Sequence, residues 1–191
     1  MTSFEYLAIL VSVILGLAIA RLTAKLSESI KRKADIHKYW VQRIWTFNIW
    51  LYILGIWWGM VSWDRLDDWT FFLFMFIMLY ATVIYLLADA LYPDDMSPGV
   101  NLEDYFFDHR RWFFGLLALS ALVDVPETLL KEVLELRAAP VGYAWLVGFW
   151  LLVAATGMVT SNRKVHAVLV IAWPVVTLGY VSQALFMLWG G

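Results

Sequence analysis

Four ionisable residues, Asp124, Glu127, Lys131 and Glu135, recur at steps of three and four. On a helix that spacing puts them on one stripe, with Glu127–Lys131 and Lys131–Glu135 as (i, i+4) pairs. The apolar run before them is only Trp112 to Val123. Counted from Trp112, Asp124 is about 18 Å along a helix rising about 1.5 Å per residue, past the midplane of an apolar layer about 30 Å thick. A carboxylate at that depth is costly unless paired, protonated or hydrated. It could bind a cation, relay protons or line a water-filled cavity. The competing reading is that this helix sits high and its second half emerges as a salt-bridged helix outside the membrane. Pro126 cannot donate a backbone bond, so it frees the Leu122 carbonyl and predicts a kink. Asn48 and Gln183 are the other polar side chains set deep in apolar runs, where an amide is expected to bond a neighbouring helix.

A second group carries different chemistry. His37, His109 and His166 are the only histidines, and Asp89, Asp108, Arg110 and Arg111 fall at the same end of the apolar runs. Such a set could hold a transition metal or sense protons. None of the spacings is a ligand motif, so the stronger expectation is an ion pair from Asp89 to Arg110 or Arg111. Asp108 is expected to cap a helix starting near Arg110. There is no cysteine, which excludes disulfides, thiolate metal sites and a cysteine nucleophile. No nucleophile motif, glycine-rich phosphate loop or metalloprotease motif is present. Neither a cofactor nor a metal is called for, and an enzyme is the lesser reading.

These residues must be held by membrane helices. Of the 191 residues 62% are hydrophobic and 16% charged, and mean hydropathy is +0.71. A soluble domain is nearer half apolar and a quarter charged. The pattern predicts an all-α bundle of six spans over residues 4–22, 39–63, 69–91, 110–136, 141–160 and 165–189. An amphipathic basic segment at 22–38 and a polar loop at 92–109 complete one face. The first span lacks the basic residues that precede a signal-peptide core, so it reads as uncleaved. Its small residues Ala8, Ser12, Gly16 and Ala20 repeat every fourth position, a spacing that lets helix backbones approach closely. The second span is rich in tryptophan. Trp40 and Trp63 suit the two interfaces, and Trp50 and Trp57 suit the interior. Pro174 predicts a kink in the last span.

Lys and Arg collect on the cytoplasmic side of membrane proteins. If loops alternate, eleven of the fourteen lie on one face, from Arg21 to Arg43 with Arg110, Arg111, Arg163 and Lys164. Arg65, Lys131 and Arg137 lie on the other. The expectation is therefore both termini outside, with anionic lipid drawn to Lys25–Lys38 and no nucleic-acid partner. Short turns between spans 2–3 and 5–6 suggest a weak 3+3 inverted pseudo-repeat, a transporter feature.

The stretches FEYLAILVSVILGLAIARL and HRRWFFGLLAL resemble those of an uncharacterised bacterial family of small multi-spanning inner-membrane proteins. The resemblance implies a bacterial inner membrane and carries over no functional residues. Two functions fit the sequence. One is a small channel- or transporter-like protein moving protons, ions or a small solute along the polar stripe. The other is an accessory or scaffold subunit, as a homo-oligomer or within a larger complex.

Overall fold

The structure is a computed structural model that describes residues 2–31 and 36–189, with residues 183–189 described by backbone alone. Among the described residues six α-helices follow one another: α1 Ser3–Lys31, α2 Trp40–Gly59, α3 Phe71–Asp89, α4 Leu102–Val133, α5 Tyr143–Val159 and α6 Arg163–Trp189. A 3-10 turn at Met60–Arg65 ends α2, and no strand occurs among the described residues. The fold is an all-helical bundle. Four of the six helices, and α2 with its 3-10 turn, are long and apolar enough to cross a membrane, while α5, at 17 residues, is shorter. The outer surface is correspondingly apolar, with Phe71, Phe72, Trp58, Leu152 and Val159 all exposed. On a water-soluble chain so large an apolar surface would aggregate; here it faces lipid. The chain is a multi-pass membrane protein.

The buried seam of α1 is Leu7, Val11, Leu15, Ala18 and Leu22, at steps of three and four. It packs chiefly on α3. The small-residue line falls beside that seam: Ala8 and Ser12 are half-buried, and Gly16 and Ala20 are exposed. The larger residues bury more apolar area, so they take the inside. The expected basic extension is helical as far as Lys31; Arg32 and Lys33 lie outside the described residues.

Helix α4 starts at Leu102, eight residues ahead of the expected span. Asn101 caps it, its Oδ1 accepting from Glu103 N at 3.0 Å and Asp104 N at 3.4 Å. Glu103 and Asp104 then suit the positive end of the helix dipole. Asp108 is therefore an exposed mid-helix residue and no cap. The polar loop shrinks to residues 90–101, and it is docked to the bundle. Gln42 Nε2 donates to Leu91 O at 2.6 Å, Thr46 Oγ1 meets Tyr92 Oη at 2.7 Å, and Met96 is 1% exposed. Burial pushes the Tyr92 hydroxyl above its ordinary pKa, so it serves as a neutral hydrogen-bonding group. His37 and Asn101 form a short parallel bridge that holds the start of α2 to the start of α4.

In the first half, the principal partner of α1 is α3; in the second, that of α4 is α5. Corresponding helices thus make different contacts, and the halves are not inverted copies in packing. At the α4–α5 contact a Cβ added to Gly157 would lie 2.5 Å from the Phe114 ring. Only glycine permits that approach.

Candidate functional site

The polar stripe of α4 points into the bundle for three of its four members. Asp124 is half-buried, and each of its carboxylate oxygens accepts from a tyrosine. Tyr80 on α3 donates to Oδ1 at 2.7 Å, and Tyr143 at the start of α5 donates to Oδ2 at 2.7 Å. Tyr52 on α2 is a buried neighbour in the same core, its Oη 3.5 Å from Ser120 Oγ. Tyr52, Tyr80 and Ser120 are buried at 7%, 2% and 0% exposure. The carboxylate thus lies at the half-buried Tyr143 end of a cluster of hydroxyls drawn from four helices.

One turn on, Glu127 and Lys131 form a buried ion pair. Lys131 also donates to Gly59 O at 2.8 Å and lies 5.4 Å from the centre of the Trp63 ring. Trp63 Nε1 donates to Glu127 at 2.9 Å. Trp63 is 0% exposed, so it is a core residue of this clamp and not an interfacial anchor. A buried charge pair is tolerated when it is also hydrogen-bonded to its surroundings, and here Glu127 Oε1 accepts from Trp63 and Lys131 donates to Gly59. The pair is neutral as a unit, which leaves Asp124 as the unbalanced acid of the stripe. Glu135 does not join. The helix ends at Val133, and Glu135 turns left-handed at φ 56° while the Leu136 and Arg137 amides close back on the Lys131 carbonyl. Such a turn is a usual helix terminus, and it leaves Glu135 exposed.

Asn48 plays a different part from a pathway residue. Its Nδ2 donates to Val170 O at 2.9 Å on α6. Val170 lies four residues before Pro174, so its carbonyl has lost its ordinary helical donor. Asn48 supplies the missing bond from another helix. The side chain of Gln183 lies outside the described residues.

The residues read at one end of the apolar runs separate. Asp89 pairs with Arg21 of α1, not with Arg110 or Arg111, and Asp94 shares the same guanidinium. Arg21 reaches them because α1 packs along α3. Arg110 turns back on its own helix to the Phe107 carbonyl, and Arg111 is exposed. The three histidines do not converge. His37 Nδ1 meets Asn101 Oδ1 at 3.0 Å, and exposed His109 stacks on Tyr105 at 4.1 Å. His166 is 0% exposed among Phe106, Phe107 and Phe114. Among the described residues no group of three or more acidic or histidine side chains could hold a metal ion. Trp50 and Trp57 face outward at 36% and 47% exposure, and Trp45 and Trp173 are the buried pair instead. Lys25 is engaged by Glu28 and the Asp94 carbonyl.

Sequence reasoning missed the three tyrosines, which are spread over α2, α3 and α5. The one available signal was chemical: a carboxylate at that depth requires donors, and tyrosine is the commonest apolar-compatible one. Comparison with protein-family models, with curated proteins and with solved structures returns no match for this chain.

Proposed function

We propose that this chain is a small channel- or transporter-like protein of the bacterial inner membrane, with both termini periplasmic, that moves protons by way of Asp124. The observation that carries the reading is the pairing of both Asp124 oxygens with phenolic hydroxyls from two other helices. A carboxylate so placed takes up a proton when a tyrosine turns away and gives it back when the hydroxyl returns. Half-burial at the Tyr143 end supplies contact with the periplasmic face, and the buried Tyr80–Tyr52–Ser120 side supplies direction. Neutral pairing of Glu127 with Lys131 keeps the adjacent charge constant while Asp124 cycles. The test is proton uptake by proteoliposomes carrying an internal pH dye under an imposed potential. Wild-type protein is expected to acidify the lumen and Asp124→Asn to abolish the signal. Absence of wild-type uptake above empty liposomes, or uptake unchanged by the substitution, overturns the reading.

A specific feature favours a second reading, an accessory or scaffold subunit. Gly16 and Ala20 are exposed, and a Cβ at Gly16 would meet nothing within 4 Å. An open small-residue face accepts another helix at close range. This reading requires a stoichiometric partner or a homo-oligomer in mild detergent, lost on Gly16→Leu. Purification as a lone monomer overturns it.

A further inference from the structure

Among the described residues eight buried side-chain polar atoms have no protein partner, and four of them, Asn48 Oδ1, Trp45 Nε1, Trp173 Nε1 and His166 Nδ1, lie where α2 meets α6. Their residues are 0–1% exposed. They fall on two facing helix stripes, Trp45, Asn48 and Tyr52 of α2 and His166, Val170 and Trp173 of α6. The contacts run without a break. The His166 ring lies 5.5 Å from Phe114, Phe114 5.6 Å from Trp45, Trp45 6.1 Å from Trp173, and Trp173 5.6 Å from Tyr52. Tyr52 is a member of the hydroxyl cluster that includes Asp124.

The hydrogen-bonding senses of the four atoms are fixed by their neighbours. A carbonyl only accepts, so Asn48 must turn its NH2 to Val170 O, and its Oδ1 is then a free acceptor. His166 Nε2 faces the Thr160 carbonyl at 3.0 Å, so that nitrogen carries hydrogen and Nδ1 of the neutral ring is an acceptor. An indole Nε1–H only donates. These four atoms are two donors and two acceptors on the facing stripes of α2 and α6. Leaving any one of them unbonded in the interior costs about 1–3 kcal/mol. Water is the ligand that joins a donor to an acceptor it does not touch, and a buried water commonly makes about three bonds to such groups.

We propose that bound water bridges His166 Nδ1, Trp45, Asn48 Oδ1 and Trp173, and extends the Asp124–Tyr80–Tyr52 cluster to the inner face. The relay role of this water rests on the proton-moving reading above; its presence does not. The indoles order the water and do not themselves pass protons. His166, at the inner end behind Phe106 and Phe107, is the port.

X-ray radiolysis of the full chain in lipid nanodiscs tests the water directly, because hydroxyl radicals formed from bound water oxidise side chains closed to bulk solvent. Trp63 is the control, being 0% exposed with its N–H bonded to Glu127. Trp45 and Trp173 are expected to oxidise several-fold faster than Trp63. In the proteoliposome assay the Trp45→Phe/Trp173→Phe double variant, which keeps an aromatic ring at each position and removes both N–H donors, is expected to slow uptake about tenfold, the effect of losing one or two bonds to ordered water. Uptake by wild type with Trp45 and Trp173 oxidised no faster than Trp63 overturns this inference and leaves the Asp124 reading standing. Fast oxidation of both without any wild-type uptake supports the water and overturns proton movement.

Discussion

Replacing Asn48 by leucine isolates the contact that joins α2 to the bend of α6. Leucine keeps the forked shape of the side chain and removes the amide. The Val170 carbonyl then loses its donor at a position where Pro174 supplies none. Asn48 is 0% exposed, so bulk water cannot step in. A buried acceptor left unbonded costs about 1–3 kcal/mol, while side-chain bonds between membrane helices average about 0.6 and reach about 1.7 kcal/mol. The expected loss is therefore about 1–1.5 kcal/mol. In a Pro174→Ala background residue 174 regains its N–H, and Val170 O regains a helical donor. The same Asn48→Leu change is then expected to cost under about 0.5 kcal/mol, a coupling near 1 kcal/mol in a double-mutant cycle. Loss of Asn48 Oδ1 and of side-chain volume is common to both backgrounds and cancels. The assay is reversible unfolding in mixed micelles of rising sodium dodecyl sulfate, followed by tryptophan fluorescence on all four proteins. Costs equal within about 0.3 kcal/mol in the two backgrounds would refute the assignment of Asn48 to the proline gap.

Two further outcomes follow from the packing. Lys131→Met leaves the buried Glu127 charge unpaired and is expected to destabilise by about 3–5 kcal/mol, whereas adding Glu127→Leu should restore most of that loss; thermal unfolding in detergent reads both, and an equally unstable double variant would contradict the clamp. Gly157→Ala forces a methyl group against the Phe114 ring and is expected to cost about 1–3 kcal/mol; Phe114→Leu in the same chain should recover part of it, and an unchanged melting temperature for Gly157→Ala alone would show that α4 and α5 can part freely.

The helices, their approximate ends and both prolines are legible in the sequence because hydropathy and backbone chemistry are local. The start of α4 was not, and the reason is specific. Asp108 and His109 read as the last of a polar loop with the helix starting near Arg110, yet Leu102, Phe106 and Phe113 already follow a helical period, and Asn101 with Glu103 and Asp104 is a good cap. A polar face on an amphipathic first turn was taken for the absence of a helix. The candidate site was half legible. The depth of Asp124 marked it as a group in need of partners, and the free carbonyl before Pro174 followed from the proline alone. What answered them did not. Tyr80 is 44 residues from Asp124, and Asn48 is 122 from Val170; separations of that size are set by which helices pack together. Arg21 was missed as the partner of Asp89 for the same reason. The sequence places it level with Arg110 and Arg111, and only the packing of α1 along α3 brings it, and not them, to Asp89.

The Glu127–Lys131 pair and the Asn48–Val170 bond differ in when they can form. The pair lies within one helical turn, so α4 can neutralise its own charges as it leaves the translocation machinery. Asn48 has no such recourse. At roughly 5–20 residues added per second, the 122 residues separating it from Val170 take about 6–25 s to synthesise. During that interval its amide sits in the nascent bundle without its final acceptor. The polar slot at Asn48 therefore stays open until α6 arrives to close it.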